Sequence, residues 1–366
     1  MLKEKLKEKQ YLPILTMENG DAVTKENWCK RRLELKTLLE KYSYGKTPDI
    51  PVKVYGSVVE RIDTAYGGKV WFEKVDISIR TEKGSFTFPT EFYIPKNVDK
   101  PPVFLHIAFR PAPDQCIPVE EITDGGFALV VVVYKNVVND NLKGDYSDGL
   151  AEYFGTTVDR KNDEWGKIGM WSYALSRVMD YMIDSRTDID SSKVAVIGHS
   201  RLGKTAMWCG ALDERIAAVI SNNSGYGGAA SSKYGKGERI SDFLYWGSWD
   251  WFCENFKKFV DCEDSKPYDQ SFLSAMIAPR LFCVGSAVLD KPADPEAEFL
   301  TTLHASEVWD ILGVDGLVCP DRMPIPGDDF FDGNVGYHLR DNGHFLSRED
   351  WNAYMRFLKM KFYKHI

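Results

Sequence analysis

The 366-residue sequence lacks the features that mark several common classes of protein. It has no apolar run of about 18 residues, which is the length that a membrane-spanning helix needs. It also has no excess of basic residues, because 46 Lys and Arg stand against 54 Asp and Glu, giving a net charge of −8. We therefore expect a soluble protein with no membrane partner and no nucleic-acid partner.

Paired cysteines and a secretory leader are missing as well. The seven cysteines are scattered and show no Cys-X-X-Cys spacing, which favours free, mostly buried thiols over disulfides or a zinc site. The first ten residues are rich in Lys and Glu and contain no apolar core of a signal peptide. The sequence therefore predicts a cytoplasmic protein, or a secreted one if a signal was removed from the chain.

The most informative stretch runs from Val194 to Lys204. An apolar β-branched run, Val194 to Ile197, is followed by the turn-like segment Gly-His-Ser-Arg-Leu-Gly and then by a helix-like run. A strand, a tight turn and a helix in this order present a nucleophilic serine at the carboxyl end of a parallel sheet. The helix N-terminus also supplies free N–H groups for an oxyanion. We therefore predict that Ser200 is a nucleophile.

Two other functions fit the same segment. A Gly- and Ser-rich connection between a strand and a helix can hold a phosphate. Gly198, followed by Gly203, Lys204 and Thr205, also has the spacing of a P-loop. An ATPase would need an acidic magnesium site after another strand, and no second nucleotide motif is evident in the sequence. The catalytic serine is therefore the favoured interpretation.

The order of the predicted elements indicates the fold. Residues 1–23 form an N-terminal arm, and residues 24–366 form a single domain. Within that domain strands alternate with helices from about residue 100 onward, which predicts an α/β class with a mostly parallel, doubly wound sheet, antiparallel N-terminal strands and helices on both faces. An aromatic-rich insertion at about 229–270 is expected to roof the site. The predicted strands are 52–61, 69–80, 85–94, 103–108, 127–134, 194–197, 217–221, 281–286 and 335–340, and the predicted helices include 24–42, 163–185, 295–312 and 347–363.

A serine hydroxyl needs a base, and the base needs an acid to orient it. In this fold class the order along the chain is serine, acid, histidine. His344 lies in a loop directly after the last predicted strand and is the favoured base, with His338 as the alternative. The favoured acid is Asp290, four residues after the strand that ends at Ser286. Asp294 is the alternative acid, although it is also placed to cap the following helix.

The oxyanion of a tetrahedral intermediate needs two donors. One is expected to be the backbone N–H of Arg201, and the other a backbone N–H at Phe109 or Arg110, after the 103–108 strand. The Arg201 guanidinium would reinforce this hole or clamp a substrate carboxyl or hydroxyl, and the alternative is a surface salt bridge to an acidic loop. Lys204 lies one helical turn beyond Ser200, where it would bind a sugar hydroxyl or remain solvated.

Several of these segments together resemble one known family. The match lies in Gly-His-Ser-Arg-Leu-Gly-Lys (198–204), Glu-Trp-Gly-Lys-Ile (164–168), Leu-Ser-Arg-Val-Met-Asp-Tyr (175–181), Ser-Asn-Asn-Ser-Gly (221–225), Trp-Phe-Cys (251–253) and Gly-His (343–344). They resemble carbohydrate esterase family 15, the glucuronoyl esterases and their bacterial relatives, some of them acetylxylan esterases. The resemblance implies an α/β hydrolase without a cofactor or metal that cleaves esters between glucuronic acid in xylan and alcohols of lignin. It also implies that Ser200 is the nucleophile, His344 the base, Arg201 an oxyanion helper and Lys204 a sugar-binding group.

The sequence departs from the family pattern in two places. Fungal members carry the acid where this chain has Asn222-Asn223-Ser224, so the acid is expected from the later loop, at Asp290. Lys291-Pro292 stands where the family often has a sugar-stacking tryptophan.

We therefore expect a serine esterase whose partner is a small carbohydrate ester, with a glucuronoyl ester favoured over an acetylated sugar. A non-catalytic binding protein is a remote alternative, and the oligomeric state stays open. Trp246, Trp249 and Trp251 are expected either to form sugar-stacking walls or to pack inside the insertion.

Overall fold

The computed structural model describes residues 1–141, 145–157, 159–231, 233 and 235–363. Its centre is one ten-stranded sheet. The strands are β1 (Lys53–Ala65), β2 (Val70–Thr81), β3 (Gly84–Pro95), β4 (Val103–Ala108), β5 (Ala128–Val133), β6 (Val194–His199), β7 (Ala218–Asn222), β8 (Leu281–Ala287), β9 (Asp329–Phe330) and β10 (Val335–Arg340). Their order across the sheet is β1-β2-β3-β5-β4-β6-β7-β8-β10-β9.

The sheet has a parallel centre and antiparallel margins. Strands β5, β4, β6, β7, β8 and β10 run parallel, whereas β1, β2 and β3 form an antiparallel meander that joins β5, and β9 is antiparallel to β10. The central strands β4, β6 and β7 are buried along their whole length, which explains their unbroken apolar runs. The predicted doubly wound sheet with antiparallel N-terminal strands is confirmed.

Helices cover both faces of the sheet, as predicted. Helices α3 and α11 pack on one face, and α2, α5, α6, α8 and α9 pack on the other. The helices are α1 (Leu2–Lys9), α2 (Trp28–Leu39), α3 (Val119–Asp124), α4 (Gly149–Phe154), α5 (Lys167–Ser185), α6 (Arg201–Leu212), α7 (Ile240–Tyr245), α8 (Gln270–Ala275), α9 (Pro295–Ala305), α10 (Glu307–Ile311) and α11 (Arg348–Phe362).

Two segments differ in detail from the sequence-based expectation. The single helix predicted over 295–312 is wrong, because the chain breaks at Ser306 into α9 and α10. The predicted N-terminal arm packs against the rest of the chain. It contains α1, which contacts α9, and its Leu2, Ile14 and Val23 join the hydrophobic core. The division into an arm and one domain stays a prediction.

The segment 229–270 contains α7, the start of α8 and three short 3-10 turns, at Trp249–Trp251, Glu254–Phe259 and Glu263–Ser265. In the described part of the chain no helix is both long enough and apolar enough to cross a membrane. All seven cysteines are free thiols, but only Cys209, Cys253 and Cys283 are buried, so the expectation of mostly buried thiols is wrong.

Candidate active site

Ser200 stands at a sharp turn between β6 and α6. Its backbone adopts φ 58° and ψ −131°, a conformation that costs an L-residue on the order of 1–3 kcal/mol and that glycine adopts without penalty. The surrounding chain holds it there, because the Ser200 N–H donates to the carbonyl of Asn222 at 2.9 Å. Gly198 permits the turn, since a Cβ at that position would lie 2.0 Å from the carbonyl oxygen of Leu202. The serine is thus held, under backbone strain, at the N-terminus of α6.

His344 lies in the loop after β10, beside the turn that carries Ser200. Its ring centroid is 4.5 Å from that of His199, the residue that precedes the serine. Its Nδ1 lies 2.7 Å from Oδ2 of Asp290, and its side chain is 46% exposed. The imidazole is therefore oriented by a carboxylate on one side and accessible from solvent on the other.

Asp290 lies three residues beyond the end of β8, and its side chain is buried. Burial acts to raise the pKa of Asp290, but the hydrogen bond and charge of His344, together with the hydrogen bond from Asn223, hold that pKa below its ordinary value. Asp294 points elsewhere, because its Oδ1 accepts from the Ala297 N–H and caps α9. Of the two candidate acids, the structure brings Asp290 to the histidine.

The other histidines have different surroundings. His199 Nδ1 lies 2.7 Å from Oδ1 of Asn222. Burial, with the nearby charge of His344, lowers the pKa of His199 to about 3, so its ring is neutral at ordinary pH. His338, the alternative base, is buried with its Nδ1 2.5 Å from Oδ1 of Asp329. The described chain ends at residue 363, so His365 lies outside it.

The guanidinium of Arg201 is bound by a carboxylate and packs against an aromatic ring. Its Nη1 donates to Oδ2 of Asp140 at 2.6 Å, and the guanidinium carbon lies 4.6 Å from the ring centroid of Trp251. Asp140 has a fully buried side chain, so the surface salt bridge considered for Arg201 is wrong. Trp251 is 6% exposed and donates from Nε1 to Oδ1 of Asp140 at 3.0 Å. The stacking wall considered for Trp251 is also wrong, because the indole is packed inside the protein.

Lys204 is buried rather than solvated. Its Nζ donates to the carbonyl of Ser224 at 2.6 Å and to Oε2 of Glu238 at 3.2 Å. The solvated alternative considered for Lys204 is therefore wrong. The ammonium instead links α6 to the segment 229–270, since Glu238 belongs to that segment.

The remaining predicted side chains lie nearer the surface. The guanidinium of Arg110 is exposed and donates to Oδ2 of Asp114 at 2.6 Å, so any part in an oxyanion hole falls to the backbone of that loop. Trp246 is 43% exposed. Trp249 is partly buried, and the ammonium of Lys257 lies 3.5 Å from its ring centroid. These two tryptophans, unlike Trp251, keep exposed indole surface.

Sequence reasoning missed Arg340, a buried arginine at the end of β10. Its Nε donates to Oδ2 of Asp350 at 2.7 Å. Its other nitrogens donate to three carbonyls of the loop that carries His344, those of Asp341, Gly343 and Phe345. An arginine inside an otherwise buried strand was the only signal in the sequence.

Asn223 and Asp140 were missed as well, because each acts on a residue far away along the chain. Among the residues that the structure describes, no three His, Cys, Asp or Glu side chains are grouped as metal ligands would be. The assembled groups are a strained serine, an oriented imidazole and fixed cations, which is the set that acyl transfer uses.

Comparison with known proteins gives a consistent picture. The family model for fungal glucuronyl esterases matches residues 77–313. The carbohydrate esterase MZ0003, from an unknown prokaryotic organism, is 34% identical over 94% of this chain and 88% of its own length. The 4-O-methyl-glucuronoyl methylesterase of Hypocrea jecorina is 27% identical over 82% of this chain, which spans 62% of that enzyme. The structure of a glucuronoyl esterase from Solibacter usitatus superposes with a TM-score of 0.85 and 30% identity, covering 96% of this chain and 97% of that one.

Proposed function

Because the chain belongs to carbohydrate esterase family 15, the glucuronoyl esterases, and is a carboxylic ester hydrolase with the α/β-hydrolase fold, we propose that Ser200, His344 and Asp290 form its catalytic triad. The observation that carries this proposal is the 2.7 Å contact between His344 Nδ1 and Asp290 Oδ2, made beside the strained turn of Ser200. The contact leaves Nε2 of the imidazole as the atom that exchanges a proton with the serine.

In the first half of the reaction, Ser200 Oγ attacks the ester carbonyl while His344 accepts the hydroxyl proton. The carbonyl oxygen becomes an oxyanion, which the backbone N–H of Arg201 and an N–H at Phe109 or Arg110 stabilise. The tetrahedral intermediate collapses to an acyl-enzyme, and His344 gives its proton to the leaving alcohol. Asp290 holds the imidazole in one tautomer and stabilises its charged form.

In the second half, His344 removes a proton from water, and the resulting nucleophile attacks the acyl-enzyme carbonyl. A second tetrahedral intermediate collapses, Ser200 leaves as an alkoxide that takes the proton back from His344, and the carboxylic acid is released. Every step uses groups of this chain, the ester and water.

We infer that the acyl group is a uronic acid. The names of the relatives, 4-O-methyl-glucuronoyl methylesterase and glucuronoyl esterase, support a glucuronoyl ester. The buried Lys204 and its partner Glu238 provide a donor and an acceptor of the kind that sugar hydroxyls need. The exposed indole of Trp246 is a surface on which a sugar can stack. The seven free thiols support a reducing compartment, in which the substrate would be an imported oligosaccharide.

The test is a side-by-side assay of a benzyl glucuronate ester and acetylated xylo-oligosaccharides, with wild type, Ser200→Ala and the control Ser78→Ala. Ser78 lies on the partly exposed face of β2, where its hydroxyl shares a hydrogen bond with that of Thr87 on β3, so its variant should keep wild-type rates. We expect Ser200→Ala to lose at least about 10⁴-fold in kcat and wild type to prefer the glucuronate. An active Ser200→Ala protein rules out the triad, and faster release of acetate would make this an acetyl esterase.

A further inference from the structure

We propose that Asp140 is a positioning residue for ester hydrolysis: with the indole N–H of Trp251, it fixes the guanidinium of Arg201 next to the turn that carries Ser200. The inference rests on the proposed function, because Arg201 has a task to be positioned for only if Ser200 is the nucleophile. It adds two residues that do not touch the ester and act through the arginine.

The contacts leave the carboxylate of Asp140 little freedom. Oδ2 accepts from Arg201 Nη1 at 2.6 Å, and Oδ1 accepts from Trp251 Nε1 at 3.0 Å. The carboxylate is fully buried, so water does not compete for either bond. Charge-assisted hydrogen bonds in such surroundings are stronger and shorter than those at a surface.

The guanidinium is confined on its flat faces as well. Its carbon lies 4.6 Å from the ring centroid of Trp251 and 5.2 Å from that of Phe109. The Nε atom of Arg201 is buried and has no hydrogen-bond partner among the described residues. Asp140 thus holds Nη1, while the Arg201 side chain as a whole keeps 27% of its surface exposed. A fixed, partly exposed cation next to the turn of Ser200 is what a developing oxyanion benefits from.

Asp140 belongs to a group of four neighbouring charged side chains, two positive and two negative, whose charges balance. Lys167, at the start of α5, pairs with Asp250 at 2.5 Å, and both side chains are fully buried. Burial raises the pKa of Asp250, and the charge of Asp140 adds to this effect. Two cations and two carboxylates thus share the site. Because Asp250 and Trp251 are adjacent, the insertion at 229–270 is tied to the arginine beside the nucleophile.

A positioning role predicts a loss of kcat rather than of binding, because the oxyanion exists only in the transition state. A donor held in advance stabilises that charge without reorganisation, whereas a loosely held guanidinium must first be ordered. The role also predicts that the effects of Asp140 and Arg201 are not additive, since Asp140 acts only through the arginine.

The experiment is a double-mutant cycle on the full chain with Asp140→Asn, Arg201→Met and the double variant, assayed on benzyl glucuronate. We expect kcat to fall about 100-fold in Arg201→Met and about 10-fold in Asp140→Asn, with KM changed less than about threefold in the latter. The double variant should match Arg201→Met. Asp213→Asn is the matched control, because it removes a carboxylate charge from a pair with Arg215 at the far end of α6.

A second variant covers the case in which Asp140→Asn does not fold. Trp251→Phe keeps an aromatic ring against the guanidinium and removes the N–H together with part of the indole, so kcat should fall about threefold to tenfold, with no further loss in the Arg201→Met background. Trp165→Phe is its control, since that buried indole N–H has no hydrogen-bond partner in the described chain.

Effects that multiply in the double variants, or an unchanged kcat in Asp140→Asn or Trp251→Phe, would overturn the inference. Loss of activity in Ser200→Ala would leave the proposed function intact in that event. A fully active Ser200→Ala protein would instead remove the proposed function.

Discussion

Asn223 donates a hydrogen bond from its side-chain amide to Oδ2 of Asp290 over 2.7 Å. The same oxygen lies 2.7 Å from Nδ1 of His344. One carboxylate oxygen thus serves both the histidine and an amide from the segment that follows β7. Asn223 thus supports the ionised state of Asp290, the acid of the proposed triad.

Replacing Asn223 by aspartate should move the acid limb of kcat/KM upward by about one pH unit. Two carboxylates within hydrogen-bonding distance cannot both ionise easily, so the pair keeps a proton to a higher pH than Asp290 alone, and the fully ionised pair that orients His344 forms only at higher pH. The measurement is kcat/KM from pH 4.5 to 9. Asn334→Asp, at the opposite end of β10, is the control and should keep the wild-type profile. Superimposable profiles for all three proteins would contradict the prediction.

Replacing Arg340 should loosen the loop that carries His344. Arg340→Met removes the three donors to that loop and leaves Asp350 buried without its cation, so kcat should fall about 10- to 100-fold, together with a loss of stability on the order of 3 kcal/mol. Arg340→Lys keeps a charge for Asp350 but cannot hold three carbonyls, so it should recover stability more than kcat.

Hydrogen exchange of residues 341–346 measures the loop directly and should be faster in both Arg340 variants. Arg322→Met, which breaks an ion pair with Asp328, serves as a control. Wild-type exchange in that loop, accompanied by a reduced kcat, would show that the arginine acts in some other way.

We expect Glu298 to make the stability of the protein dependent on pH. The side chain is fully buried beneath the active-site loops, where it accepts from Ser286 Oγ at 2.5 Å and from the Gly225 N–H at 2.9 Å. Burial raises the pKa of Glu298 to about 8 from an ordinary value of 4.5. The folded state therefore binds more protons than the unfolded state between these values. The resulting stabilisation is complete below about pH 4.5 and is lost as pH rises to about 8.

Glu298→Gln cannot titrate, so its free energy of unfolding should lack this component. The free energy of unfolding of wild type minus that of the variant should fall by at most about 4 kcal/mol between pH 5 and 8, because only wild type loses this stabilisation as pH rises. Urea unfolding at pH 5, 6, 7 and 8 provides the data. Glu296→Gln, on the same helix but paired with Lys5, should not reproduce the trend. A difference that stays constant with pH is the contradicting result.

Ser200→Gly should be more stable than Ser200→Ala by about 1–2 kcal/mol. The position adopts φ 58° and ψ −131°, which glycine adopts without strain and alanine, like any L-residue, only at a cost in free energy. Both variants should be inactive, so the comparison separates strain from chemistry. Urea unfolding of the two proteins measures the difference, and equal midpoints would show that the turn stores no strain. Ser192→Gly against Ser192→Ala is the control, since Ser192 is not among the residues with positive φ.

The sequence carried the parts of this site that are local. The strand, turn and helix around Ser200 are contiguous, so the β-branched run and the two glycines predict the geometry of the turn. His344 was predictable because it directly follows the last strand, and parallel strands end at the same edge of the sheet. The choice between Asp290 and Asp294 stayed open in the sequence, since both follow β8, and only the cap of α9 separates them.

The remaining groups depend on contacts between distant parts of the chain. Asp140 and Arg201 are 61 positions apart, and no spacing rule links them. Composition also cannot tell a packed tryptophan from an exposed one. Trp251 and Trp246 lie in one aromatic stretch, yet one is buried and the other is not. Lys204 shows the same limit, because the pairing that makes its burial tolerable is tertiary.

The register of the last parallel strand has a practical consequence. Val335–Arg340 pairs with Phe282–Ala287, and His344 follows four residues later. A slip of two residues along β8 would displace the imidazole by about 6.6 Å, far more than the contact with Asp290 allows. Turnover of a chromogenic ester during refolding should therefore report the register of the final strand. Coloured product is expected only from molecules in which β10 pairs with β8 in the native register.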